Sequence, residues 1–176
     1  MAGTKEMGGD EAAQLWRFFC WAFLRPAEPA LSESWPEACA LLGLEGVRPW
    51  PQALDAEREF AKLFYGVSGR NVRACASNYA SPLGLGFQQA ARDVRSEYRK
   101  AGFAPADAGM PDDHIAIECA FAAMLAQNDP ALARGFAKSF MGWVPAFCKE
   151  LSEHPAADFY GEVARALEAF WKSQQP

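Results

Sequence analysis

Two aspartates, a histidine and a glutamate lie within residues 111–118, inside the stretch Gly109–Phe121, which reads GMPDDHIAIECAF. Carboxylate and imidazole groups act as general acids and bases, ligate metal ions and pair with cations. The chain has only two histidines, His114 and His154. The stretch is therefore the first candidate for a functional site, and the element that carries it decides which chemistry is open to it.

Catalysis and metal binding both lack partner residues elsewhere in the sequence. His114 and Glu118 have the i, i+4 spacing that allows two side chains to share an ion, but no cysteine pair or histidine cluster supplies further ligands. No nucleophile elbow is present, and the glycines at 66–69 and 84–86 do not form a phosphate loop. The residues alone therefore give no support for a catalytic residue, a metal or a cofactor, and we expect none of the three. A metal-dependent hydrolase centred on His114 and Glu118 is kept as a third hypothesis.

The simplest interpretation of the stretch is a helix start. Proline is favoured in the first helical turn, and acidic side chains there interact well with the positive end of the helix dipole. A helix running from Pro111 to about Gln127 would explain Asp112 and Asp113 without any functional role.

His114 and Glu118 are less well explained by a helix start. On a helix they share a stripe with Phe121 and Leu125, which predicts that both polar side chains lie at the edge of a buried face. Polar groups in such a position need partners. Either His114 is a core histidine with its hydrogen bonds satisfied, or the stripe is an acidic rim beside an apolar groove.

The composition predicts an all-α fold. The chain has 34 alanines but only six valines, two isoleucines and one threonine, and strands favour the β-branched types. A length of 176 residues fits one domain. We expect a flexible N-terminal tail at residues 1–9 and a single helical domain, a bundle, at residues 10–176.

Charge and cysteine content narrow the class of partner. A net charge of −5 argues against nucleic acid and permits a cationic partner. Five scattered cysteines suit a reducing cytoplasm, and no apolar run is long enough to insert stably in a membrane.

Apolar spacing and breakers predict the individual helices. Ser34 and Glu37 have the spacing of a capping box, and Pro145 should break a helix. The stripe Phe136, Phe140, Trp143, Phe147 is typical of a core, although the segment Trp143–Pro145 could also line a groove. The predicted helices are Asp10–Leu24, one from Ser34 to Leu44, Gln52–Tyr65 with a stripe that includes Leu54, one through Phe87 and Tyr98 up to Gly102, Pro111–Gln127, two carrying Leu132 to Leu151, and one beginning at Pro155. Residues 66–86 have no helical pattern, and a long irregular segment is commonly functional.

Three segments in order resemble one protein family. They are EREFAKLFYG (Glu57–Gly66), PDDHIAIECAFAAML (Pro111–Leu125) and FAKSFMGWVPAFCKEL (Phe136–Leu151). Together with ASNYASPLGLG between the first two, they resemble the TorD/DmsD/NarJ family of redox-enzyme maturation chaperones. The resemblance covers roughly residues 10–155.

The resemblance implies a cytoplasmic, all-helical chaperone that is not an enzyme and that binds the twin-arginine signal peptide of a molybdenum-cofactor oxidoreductase. Such a chaperone holds the precursor of the catalytic subunit until the cofactor is inserted, and so delays export. The residues that the family uses for peptide recognition correspond here to Tyr79, Pro111, Asp112, Asp113 and His114.

Elementary chemistry agrees with this hypothesis, because carboxylates pair well with guanidinium groups. Asp112, Asp113 and Glu118 would meet the two arginines. The apolar part of the peptide would contact four aromatic residues, Tyr79, Phe121, Phe140 and Trp143.

The alternative is an all-helical interaction module that binds another apolar peptide or helix. The sequence does not decide between a monomer and a homodimer.

Overall fold

Eight α-helices form the described part of the chain, which in the computed structural model comprises residues 7–66, 69–80, 87–107 and 109–175. No strand occurs in these ranges, so the predicted all-α bundle is confirmed. The helices are α1 Gly9–Ala22, α2 Pro29–Leu41, α3 Ala53–Phe64, α4 Phe87–Lys100, α5 Ile115–Asn128, α6 Pro130–Phe140, α7 Val144–Ser152 and α8 Tyr160–Ser173, with a short 3-10 helix at Ala76–Asn78. None of these helices is long and apolar enough to cross a membrane.

Helices α1 and α5 form the centre of the bundle and pack most extensively against each other. Buried alanines such as Ala13 and Ala122 lie on these two helices. Small side chains of this kind let helix backbones approach closely. Helix α5 is buried on nearly all sides, since α6 packs against it as well.

Aromatic side chains join the remaining helices to this centre. Trp16 of α1 meets Phe170 of α8 with ring centroids 4.5 Å apart, and Phe18 stacks on Trp35 of α2. Aromatic pairs in such geometries add to the free energy gained by burying their area. The helices around the candidate site are therefore held by a continuous apolar core.

Several predicted helix ends are confirmed. Helix α3 has the expected bounds to within one residue. Gly102 follows the end of α4 and has a positive φ of 69°, a conformation that suits glycine. Pro145 lies in the first turn of α7, so the chain makes a fresh helix start there.

Four local predictions are wrong. Helix α2 begins at Pro29, and Ser34 lies inside it, where its hydroxyl donates to the carbonyl of Ala30 at 2.6 Å instead of capping a helix. The last helix begins at Tyr160, not at Pro155. Helix α5 begins at Ile115, after both aspartates. Leu54 is exposed and does not belong to the buried stripe of α3.

Two predicted segments lie partly outside the residues that the structure describes. Residues 1–6 of the predicted tail lie outside the described residues, and α1 already begins at Gly9. Residues 67–68 and 81–86 of the predicted irregular segment lie outside them too.

Glu59 of α3 supplies the N-terminal cap of α8. Its carboxylate accepts hydrogen bonds from the amides of Asp158, Phe159 and Tyr160 at 2.7–3.1 Å. The first amides of a helix have no partner within the helix, and a carboxylate also interacts favourably with the dipole. One side chain therefore joins α3 to α8.

We predict that Glu59→Ala lowers the free energy of unfolding by about 2 kcal/mol, because charge-assisted hydrogen bonds are lost. The measurement is urea unfolding. The matched control is Glu57→Ala on the exposed face of the same helix, for which we expect a change within about 0.5 kcal/mol. Equal effects of the two substitutions would contradict the assignment of Glu59 as a cap.

Candidate functional site

A short junction joins the irregular segment to the start of α5. It consists of residues 74–77 and 112–115, in which Cys75 and His114 pair as an antiparallel bridge. The amide of Ile115 donates to the carbonyl of Ala74 at 2.8 Å, and the amide of Ala76 donates to the carbonyl of Asp113 at 2.9 Å. The junction places the loop residues beside the candidate motif.

Asp113 completes the junction with its side chain. The carboxylate is 1% exposed and accepts a hydrogen bond from the amide of Ser77 at 2.8 Å. Ser77 is itself buried, so this amide would otherwise lack a partner. Asp113 therefore fixes the loop onto α5.

Asp112 is also bound within the chain. Its carboxylate accepts from Arg95 of α4 at 2.5 Å, and its backbone carbonyl accepts from the Tyr98 hydroxyl at 2.7 Å. These bonds join α4 to the junction. The expectation that both aspartates lie in the first turn of α5 is wrong, since they occupy the turn before it.

His114 is the N-cap of α5 and is half-buried. Its Nδ1 accepts a hydrogen bond from the amide of Ala116 at 3.2 Å. Burial lowers the pKa of His114 to about 4, opposed by the charge of Asp113. The imidazole is therefore neutral at physiological pH and caps the helix as an acceptor.

Glu118 lies in the core, although the stripe predicted it at the edge of a buried face. It is 0% exposed, and its Oε2 accepts from the indole nitrogen of Trp143 at 3.0 Å. Burial, together with the charge of Asp113, raises the pKa of Glu118 well above its ordinary value, and the Trp143 hydrogen bond opposes this only in part. Burial therefore favours the protonated form of Glu118, and its hydrogen bond orients Trp143.

Tyr79, at the end of the described loop, packs on Trp143, the partner of Glu118. Its ring stacks on Trp143 with centroids 5.4 Å apart, and its hydroxyl donates to Glu150 at 2.6 Å. Phe121 is buried against Tyr98, and Phe140 is half-buried and stacks on Phe136. Burial of Tyr79 and its bond to Glu150 raise the pKa of the phenol.

An apolar groove runs along the surface next to the junction. At one end, the His114 end, it is lined by Val72, Arg73, Met110 and His114. At the other end, the Glu57 end, it is lined by Arg25, Glu28 and Glu57. The two ends share Leu24, Phe60 and Tyr65, so they form one surface.

Tyr65 lies at the centre of the groove and is 73% exposed. It belongs to the segment Glu57–Gly66, which the sequence marks by its resemblance but to which no binding role was assigned. The available signal was an apolar stripe on α3 that continues to Tyr65, beyond the end of the helix.

The predicted site residues are thus divided. His114 lines the groove, and Pro111 is exposed beside it in the chain. Asp113, Glu118, Phe121 and Trp143 are buried. In the described ranges, no three His, Cys, Asp or Glu side chains cluster so that they could hold a metal ion.

We predict that Asp113→Ala accelerates hydrogen exchange of the Ser77 amide about tenfold, because that amide loses a charge-assisted bond. The Val72 amide, which donates to the Leu63 carbonyl, serves as the internal reference. The control variant is Asp112→Ala, which removes a neighbouring carboxylate but leaves the Ser77 bond. Equal Ser77 exchange in the two variants would contradict the role of Asp113.

We predict that the stability of the native protein relative to its Glu118→Gln variant falls as pH rises above 4.5. The folded chain keeps a proton on Glu118 that the unfolded chain releases near the ordinary pKa of 4.5. The limiting slope is about 1.4 kcal/mol per pH unit. Urea unfolding of both proteins from pH 4 to 8 measures it, and a difference independent of pH would show that Glu118 is ionised in the fold.

Comparison with known proteins gives one family. The family model described as nitrate reductase delta subunit matches residues 26–159, which include α3, the junction and α5. No curated protein and no solved structure gives a significant match. The family consists of molybdoenzyme assembly chaperones of the NarJ type, so the resemblance is confirmed in this broader form. The chain belongs to the nitrate reductase delta subunit family.

Proposed function

We propose that this protein is a cytoplasmic chaperone that binds the twin-arginine signal peptide of a molybdenum-cofactor oxidoreductase. It would hold the precursor of the catalytic subunit until the cofactor is inserted, and release it for export afterwards. In this proposal the chain carries out no catalysis, and its function is to cover a peptide.

The observation that carries the proposal is the apolar groove in a chain of this family. Its two ends have volumes of about 590 and 460 Å³. These volumes are within the range in which proteins enclose ligands. A twin-arginine signal has an apolar middle section, and a groove lined by Leu24, Phe60 and Tyr65 buries such a section favourably.

The predicted site residues take different roles in this proposal. His114 and Pro111 would border the peptide at the His114 end of the groove. Asp113 would act indirectly, by fixing loop residues 74–77 in position.

The buried residues Glu118 and Trp143 would support the site indirectly. Glu118 orients Trp143, on which Tyr79 stacks. Phe121 and Phe140 both pack on Phe136. Asp112 already pairs with Arg95, so a client arginine would have to share its carboxylate.

We predict that Tyr65→Ser weakens binding of a signal peptide about tenfold, because an exposed aromatic at the centre of a groove is the type of residue that dominates binding energy. Fluorescence anisotropy of a labelled peptide measures the affinity. The matched control is Leu54→Ser, which removes another exposed apolar side chain, near the start of α3 and outside the groove. Equal affinities of both variants would contradict the groove as the binding site.

A second candidate function is binding of an apolar peptide or helix that has no arginines. It is favoured by the His114 end of the groove, where the described lining residues include Arg73 but no carboxylate. Replacing the two arginines of the peptide by glutamine separates the two functions. Equal affinity for both peptides would support the second candidate and contradict the first.

A further inference from the structure

The Glu57 end of the groove carries two carboxylates that are not used by the fold. Glu28 and Glu57 both line this end, and Glu57 is exposed. Neither side chain has a hydrogen bond or an ion pair with any residue that the structure describes. Both groups are therefore available to a partner.

Several other carboxylates differ in this respect, because each already has a partner within the fold. Asp112 pairs with Arg95, Glu150 accepts from Tyr79, and Glu59 caps α8. Asp113 is buried and bound to Ser77. A cation that paired with any of these groups would compete with an existing bond.

The charge along the groove is therefore asymmetric. At the Glu57 end, two carboxylates outnumber Arg25, whose guanidinium lies over the Trp21 ring at 5.2 Å from its centroid. At the His114 end, Arg73 is exposed. One end attracts a cation and the other repels it.

We infer that the arginine pair of the client peptide binds at Glu28 and Glu57, and that the apolar section runs over Tyr65 towards Met110 and His114. This inference rests on the proposed function and adds the direction of the peptide and the residues that read its charge. A carboxylate accepts two parallel hydrogen bonds from a guanidinium fork, which a lysine ammonium does not reproduce. The direction also keeps the arginines away from Arg73.

The test is a double-mutant cycle between protein and peptide. The probe is a labelled synthetic peptide with two adjacent arginines followed by twelve alternating leucines and alanines, and its partner has two glutamines in place of the arginines. We expect E28Q/E57Q to weaken the arginine peptide about fivefold and the glutamine peptide less than twofold. Raising the sodium chloride concentration should abolish this difference.

The matched control variant is E33Q/E45Q. It changes the net charge by the same amount, and both glutamates are exposed and do not line the groove. We expect less than a twofold effect on either peptide. Equal weakening by the two double variants would show that only net charge matters and would overturn the inference.

Photocrosslinking tests the direction independently of affinity. A benzophenone placed before the arginines should crosslink to residues 24–29 or 57–61. One placed at the far end of the apolar section should crosslink to residues 71–75 or 110–114. The reverse pattern would overturn the inference. The inference would also be overturned if the protein formed a concentration-dependent dimer that the peptide dissociated without crosslinking to either set of residues.

Binding of the two peptides distinguishes failure of the proposed function from failure of the inference about Glu28 and Glu57. If neither peptide binds the native protein, the proposed function fails and the inference fails with it. If Tyr65→Ser weakens both peptides while E28Q/E57Q weakens neither, the groove remains the binding site and only the assignment of the arginines is overturned. Circular dichroism of E28Q/E57Q should match that of the native protein, because neither side chain has a hydrogen bond or an ion pair within the described residues.

Discussion

The buried carboxylate of Asp113 is the constraint on which the site depends. A loop that packs against a helix bundle must find partners for its backbone amides, since a buried amide without one costs free energy. Asp113 supplies that partner for Ser77, while the bridge between Cys75 and His114 pairs the neighbouring backbone groups. Its position just before α5 gives the loop a fixed place on the bundle.

The groove follows from this arrangement. Because the junction holds residues 74–77 against the start of α5, residues 71–75 and Met110 form one wall of the groove, and α3 forms the opposite wall. On the far side of the junction, Glu118 accepts a hydrogen bond from Trp143, on which Tyr79 stacks. The ionisable side chains of the sequence motif thus shape the surface, and the side chains that line the surface come mainly from elsewhere in the chain.

The sequence predicted the helices well where apolar spacing and breakers coincide, as in α3 and at Pro145. It failed where one local pattern has two structural meanings. The spacing of Ser34 and Glu37 fits a capping box, yet a serine inside a helix can bond backwards to a carbonyl, and Pro29 had already begun α2. Periodicity placed Glu118 at an edge, because a single helix does not reveal that α5 is covered on nearly all sides. The presence of Glu28 and Glu57 at the same end of the groove depends on tertiary packing, which spacing along one helix does not encode.

Methyl-resolved NMR during a peptide titration tests the central claim most directly, since it observes the groove itself. Met110 lines the His114 end of the groove and Leu24 lines the section that both ends share, whereas Met141 is buried away from the groove and Leu132 is exposed on α6. Addition of the arginine peptide should shift the methyl resonances of Met110 and Leu24 in a saturable manner and leave those of Met141 and Leu132 in place. Saturable shifts at Leu132 with none at Met110 and Leu24 would contradict the groove as the site where this chaperone holds its client.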